Sequence, residues 1–271
     1  MSLSIQTNIE AFTAHRNLVM TQNQLSTAME RLSSGFRINR AADDAAGLAI
    51  SEKLAAQVGG LDQAQRNAQD GVSLVQTAEG AMAEVQSMLQ RVRDLAVQFN
   101  NGTLSAQDKA AITAEVAQLC AEVSDIGSQT QFNGINLLTG TSTITFQVGS
   151  NDGQTIAVSA VQLFGSGASF AVDASLFSFS GTVVLQSIDD AIQNVSNQRA
   201  TFGSVQNRLD HRLNNLATYE QNLQASESSI KDVDMASEMT TFTQLQILQQ
   251  AGTAMLAQAN AAPQSVLKLL G

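Results

Sequence analysis

Proline is nearly absent from this chain: Pro263 is the one such residue in 271. A chain so poor in a residue that breaks helices by removing a backbone donor can sustain long ones. Tryptophan is missing, tyrosine appears once, and aromatic residues make up 4%. The lone cysteine, Cys120, excludes an intrachain disulfide framework and any multi-cysteine zinc site. The two histidines, His15 and His211, are distant in sequence from it and from each other. Charge is scarce as well, at 14% of residues against roughly a quarter in an average domain. The balance is acidic, with a formal net charge of −10, and no Lys/Arg cluster supplies the positive field that nucleic-acid phosphates require. Positive charge vanishes between Lys109 and Arg199, where seven acids fall. That stretch is expected to face water, while the nearly neutral ends can face something else.

The opening MSLSIQTNIE lacks a basic region followed by an apolar run, so no secretory signal peptide is expected. Met239 to Leu267 carries no charge and is long enough to span a bilayer. Amides from Gln244 to Gln264 would be costly in lipid, which argues against membrane insertion. There is no Ser-His-Asp order, no paired-carboxylate pocket and no Gly-rich phosphate loop in context. The chain therefore offers no candidate for catalysis, cofactor binding or metal binding. Cys120 reads as a small packing residue in an apolar-rich helix, and both histidines read as surface residues.

Hydrophobic spacing is the strongest positive signal. Val75, Ala78, Met82, Val85, Leu89, Val92, Ala96 and Phe99 step by three and four without a miss. Asn101-Gly102 then reads as a turn, Ser105 with Asp108 as a capping box, and Gly127 as the stop of a second helix. That second helix carries Ile112, Val116, Leu119, Val123 and Ile126. A third stripe runs from Ile188 to Ile230, interrupted by Arg199. Between Gly140 and Gly181, two alternating segments flank Asn151-Asp152-Gly153, the pattern of a β-hairpin.

The fold class is therefore mainly α. Long antiparallel helices form a coiled coil or bundle from paired N- and C-terminal arms, with a small β-hairpin insert. Five segments follow: an N-terminal arm over 1–40, half of a helical core over 41–139, a β-rich insert over 140–182, the other half over 183–234, and a C-terminal arm over 235–271. A water-facing helix normally carries charge on its outer face. The last arm instead shows Thr, Gln and Asn there, which suits a surface that is eventually covered. Candidate self-association residues are Ile5, Ile9, Phe12, Leu25 and Leu32 at the start. At the end they are Leu245, Leu248, Gly252, Met255 and Ala259, continued by Ala262, Val266 and Leu269. Pro263 sits off this stripe and is expected to kink or loosen the arm's end.

The segment Leu32-Ser-Ser-Gly-Phe-Arg-Ile-Asn-Arg-Ala-Ala-Asp-Asp-Ala-Ala-Gly-Leu-Ala-Ile resembles the N-terminal pattern of bacterial flagellins. Leu89-Gln-Arg-Val-Arg-Asp-Leu-Ala-Val-Gln, Gln129-Thr-Gln-Phe-Asn-Gly and Ile247-Leu-Gln-Gln-Ala-Gly-Thr-Ala-Met-Leu-Ala-Gln-Ala-Asn are similar to that family too, in its order. The likeness covers roughly 3–138 and 183–270 and describes a short form without large outer domains. It implies a subunit that polymerises into an extracellular filament for swimming, with a hook–filament junction protein as the alternative. It further implies paired terminal helices in the inner wall of a tube, export through a flagellar type III apparatus, a chaperone on the C-terminal arm, and filament cap and hook-junction partners. Arg31, Arg37, Arg40, Asp43 and Asp44 would then join the inner and outer helical layers. On the residues alone, the same stretch is a turn, with Gly35 ending one helix and Asp43 or Asp44 capping the next. Gln90, Arg91, Leu95 and Glu115 fall where related flagellins contact Toll-like receptor 5, and Leu213 falls at the matching apolar position. Leu119 stands in place of a basic residue common there in the family.

Overall fold

The computed structural model describes residues 8–139, 143–159 and 185–270, with side chains described as far as residue 261. Contacts divide the chain into two units. A terminal unit comprises Met1–Ala56 with Asn222–Gly271, and a central unit comprises Gln57–Gln221. Five helices account for most of the described chain: α1 (Ile9–Ser34), α2 (Ala45–Phe99), α3 (Ala106–Gln129), α4 (Leu185–Lys231) and α5 (Met235–Leu270). Among the described residues two antiparallel hairpins form, β1 (Gln131–Phe132) with β2 (Ile135–Asn136) and β3 (Thr143–Gln147) with β4 (Thr155–Ser159).

In the central unit, every member of the stripe from Val75 to Phe99 is buried, as the three-four rhythm requires. The stripe belongs to a helix of 55 residues. Ile112, Val116 and Val123 of α3 close over it, as do Ile188, Val195, Phe202 and Leu209 of α4. Gly71 permits a close approach, since a Cβ there would sit 3.3 Å from Leu209 and 3.4 Å from Phe146 of β3. Ser105 and Asp108 form the expected capping box, each side chain accepting from the other's backbone N–H. Gly127 does not end α3. It is buried inside the helix, which continues to Gln129, where Thr130 returns its N–H and hydroxyl to the Ile126 carbonyl. The reason is conformational: among the described residues the left-handed glycines are Gly35, Gly134 and Gly153, and Gly127 is not one of them.

Three polar rungs join α2 to α4 within the central unit. Gln65 donates to Glu220, Arg199 binds Glu79 and Gln86, and Arg93 binds Asp189. Arg199, which interrupts the α4 stripe, thus interrupts it for a purpose: its Nη2 lies 2.6 Å from Glu79 Oε1 and its Nη1 2.7 Å from Gln86 Oε1. The β3–β4 hairpin forms over 143–159 as expected, with Gly153 at φ 79° in its loop. The rest of the expected insert, 140–142 and 160–182, lies outside the described residues. Cys120 is half-buried, and burial pushes its thiol up to about 11. Leu209→Ala is expected to destabilise the protein by about 2–5 kcal/mol, since the side chain is fully buried and its removal leaves a cavity. Urea unfolding followed by circular dichroism measures that loss.

Candidate functional site

In the terminal unit α1 and α5 lie antiparallel. Asn8 donates its side-chain N–H to the Ala259 carbonyl at 2.7 Å, Leu18 lies against Gly252, and Arg31 approaches Glu238 at 3.9 Å. Along α1 a row of covered positions runs Ala11, Ala14, Leu18, Thr21, Leu25, Ala28 and Leu32, with Thr27, Glu30 and Arg31 partly covered beside it. Along α5 they are Glu238, Phe242, Leu245, Gln249, Gly252, Leu256 and Ala259. Both sets step by three and four, the seam of a two-helix coil. Gly252 brings the helices close, since a Cβ there would meet Leu18 at 3.2 Å.

The candidate association residues divide between this seam and open surface. Leu25, Leu32, Leu245, Gly252 and Ala259 fall in the seam. Ile9 and Phe12 do not: they are 70% and 75% exposed, and Leu248 and Met255 are exposed on α5. The single stripe expected for each arm is therefore two sets of apolar residues. Sequence reasoning missed Phe242, Gln249 and Leu256 because Leu248 and Met255 offered an equally regular rhythm. Ile5 lies outside the described residues. So do the side chains of Ala262, Val266 and Leu269, although the backbone of α5 continues past Pro263 to Leu270. A groove of about 760 Å³ opens along α1 and α5, lined by Ile9, Leu18, Leu248 and Met255 among others.

The charged loop is organised around backbone hydrogen bonds. Gly35 ends α1 at φ 77°, returning its N–H to the Arg31 carbonyl. Phe36 then pairs with Asp232 as an isolated antiparallel bridge, and the Arg37 N–H donates to the Lys231 carbonyl at 2.7 Å. The Arg37 guanidinium donates to the Ile230 carbonyl, and Arg40 Nε lies 2.9 Å from Glu30 Oε1. Asp44 accepts from the Gly47 N–H at 2.9 Å at the start of α2. Asp43 accepts from the N–H groups of Arg40 and Asn39 at 2.9 and 3.1 Å, and these bonds hold its carboxyl below the usual carboxylate value. The helix stop and the cap read from the residues are thus both present.

On the central unit, Arg91 donates Nε and Nη2 to Glu115 Oε1 at 3.0 and 2.7 Å, tying α2 to α3 on an exposed face that includes Gln90. Leu95 is not on that face. It is 2% exposed inside the core, which its place between Val92 and Ala96 explains. Leu213 is half-buried against the same core. Sequence reasoning also passed over the β1–β2 hairpin, although its turn, Asn133-Gly134 with φ 49° and 77°, is the strongest short-range hairpin signal. Among the described residues no group of three or more His, Cys, Asp or Glu is placed to hold a metal ion. No helix among them is long and apolar enough to cross a membrane.

A family model of the bacterial flagellin N-terminal helical region matches residues 5–143, and one of the C-terminal helical region matches residues 185–270. The chain is 51% identical over 269 residues to a flagellin of Halalkalibacterium halodurans, covering 98% of this chain and 99% of that one. It is 44% identical over 305 residues to the flagellin of Bacillus subtilis, covering 99% and 100% respectively. The chain belongs to the bacterial flagellin family. The crystal structure of Bacillus cereus flagellin is 34% identical to it, with a TM-score of 0.47, over 56% of this chain and 88% of that one.

As a flagellin, it is a structural subunit that self-polymerises into the extracellular flagellar filament of motile bacteria. Matches at both ends and over nearly its whole length do not favour a hook–filament junction protein. Its length fits a flagellin without large outer domains. The loop of this flagellin also has a definite acid response. Folding holds Asp43 below its ordinary value of 3.8, so its contribution is complete above that pH and is lost as pH falls through the lowered value. Thermal unfolding of the monomer at about pH 6 and about pH 3 should show a smaller acid-induced drop for Asp43→Asn than for the unsubstituted chain.

Proposed function

We propose that the apolar side chains which α1 and α5 leave uncovered form the surface on which neighbouring copies seat in the filament. The observation that carries this reading is the exposure of large apolar groups on both arms, Ile247 at 60% and Phe12 at 75% among them. Covering one such side chain contributes about 1.5–3 kcal/mol. Between Met239 and Ala261 the accompanying surface of α5 is supplied largely by Thr, Gln and Asn, so covering that stretch strips no ion of water, while Glu10 and Arg16 line the α1 side. On this reading Ile5, Ala262, Val266 and Leu269 extend the same surface toward the chain ends. Arg31, Arg37, Arg40, Asp43 and Asp44 hold α1 at a fixed entry into α2, chiefly through bonds within one subunit. The task is structural and has no chemical step.

The same uncovered face of α5 suits a cytoplasmic chaperone that masks it before export through the flagellar type III apparatus. Cap and hook-junction proteins meet the arms where the filament begins and ends. Phe12→Gln with Leu248→Gln should abolish elongation from filament seeds while leaving the monomer's helical content unchanged. Elongation at the unsubstituted rate, seen by electron microscopy, would overturn this reading.

A second reading concerns the exposed face carrying Gln90, Arg91 and Glu115, and it is favoured by the Arg91–Glu115 pair, which presents a guanidinium at a fixed place. Toll-like receptor 5 is the partner in this reading, with Leu95 supporting the face from beneath, whereas Leu213 sits on α4 opposite the Gln65–Gly71 stretch of α2, away from Arg91. Arg91→Ala with Glu115→Ala should weaken binding of monomer to the receptor ectodomain by at least about tenfold without loss of helix. Surface plasmon resonance on the two proteins decides it.

A further inference from the structure

The eight methionines of the chain are unevenly placed. Met82 is fully buried in the central core and Met88 is half-buried against it. Met20 and Met29 on α1, and Met235, Met239 and Met255 on α5, are between 48% and 63% exposed. Met1 lies outside the described residues. A reduced thioether is a soft apolar side chain that fits an irregular contact, whereas its sulfoxide is polar and chiral. The reaction needs only access of a peroxide to the sulfur, which the arms give and the central core denies.

We propose that these five arm methionines form a modification site for hydroperoxides, and that their oxidation bars a free subunit from the filament. This rests on the assembly surface proposed above. The sulfur lone pair attacks one oxygen of the hydroperoxide, so an S–O bond forms as the O–O bond breaks. Sulfur is oxidised by two electrons and the peroxide is reduced to water or an alcohol. The proton on the attacked oxygen passes through solvent to the leaving oxygen. Met255 lines the groove with Ile9 and Leu248, so a neighbour seated there would enclose its sulfoxide among apolar groups. A packed neighbour likewise shields the reduced sulfur, so free subunits react and assembled ones are protected. Reduction of the sulfoxide to the thioether restores the surface.

The test treats purified full-length monomer with hydrogen peroxide, maps oxidised peptides by mass spectrometry, and measures elongation from untreated seeds. The expected result is oxidation at the five arm methionines ahead of Met82, with at least about a tenfold rise in the concentration needed for elongation. Variants carrying M20L, M29L, M235L and M239L, with and without M255L, are each compared with their own untreated protein; treatment should leave the concentration needed for elongation unchanged in the five-leucine variant. Filaments treated after assembly should show these methionines protected. Unchanged elongation of oxidised wild-type monomer, or equal loss in the five-leucine variant, overturns the proposal. The Phe12→Gln, Leu248→Gln protein separates the two ideas. If it fails to elongate while oxidised monomer succeeds, the assembly surface stands and the methionine proposal falls. If both elongate normally, the assembly surface falls as well.

Discussion

Two helices laid side by side can bury only the strip that each turns toward the other. In this flagellin α1 and α5 fill that strip with Leu18, Leu25, Ala28, Phe242, Leu245 and Leu256, yet they carry more apolar surface than the strip can take. Ile9, Phe12, Ile247 and Met255 are what remains outside. The absence of charge from Met239 to Leu267 on α5 agrees with the proposed assembly surface, because an ion on a covered face would have to be stripped of water. An isolated pair of this kind relies on packing for much of its helical stability. Its neighbours in the polymer are thus part of its solvent.

The central unit solves a different problem. Its stripes on α2, α3 and α4 converge on one core that is closed within the chain, with the β3–β4 hairpin supplying Ile156 and Val158. It also holds the stretch without Lys or Arg. On the proposed assembly surface, fold completion and assembly fall to different parts of one sequence, the closed core to the central unit and the uncovered apolar groups of α1 and α5 to the terminal one.

Much of this was legible before any coordinates. The run from Val75 to Phe99 had one regular stripe and one face to bury it, and the Ser105–Asp108 cap and the Asn151–Gly153 turn are local chemistry that reads the same in any context. The arms were legible only in part. Leu248 and Met255 keep the same rhythm as Leu245 and Leu256, and periodicity alone does not say which set meets the partner helix. Gly127 misled because a glycine at a plausible stop is also a small residue suited to burial inside a helix. Leu95 was placed on a contact face by family likeness, although its neighbours Val92 and Ala96 are both core residues. The polar rungs were illegible for another reason: Arg199 meets Glu79 across 120 positions of sequence, and no local pattern announces such a pair.

Those rungs have a mechanical side. Gln65, Glu79 and Arg93 fall at even intervals along α2, each fastened to α4. Sliding one helix past the other by a single turn, about 5.4 Å, would tear every fastening at once. The interdigitated apolar side chains of the core resist the same shear, and the rungs add a fixed register to that resistance. A bolted pair of this kind behaves as a strut, so a twisting load entering at one end is handed onward instead of being absorbed by slippage.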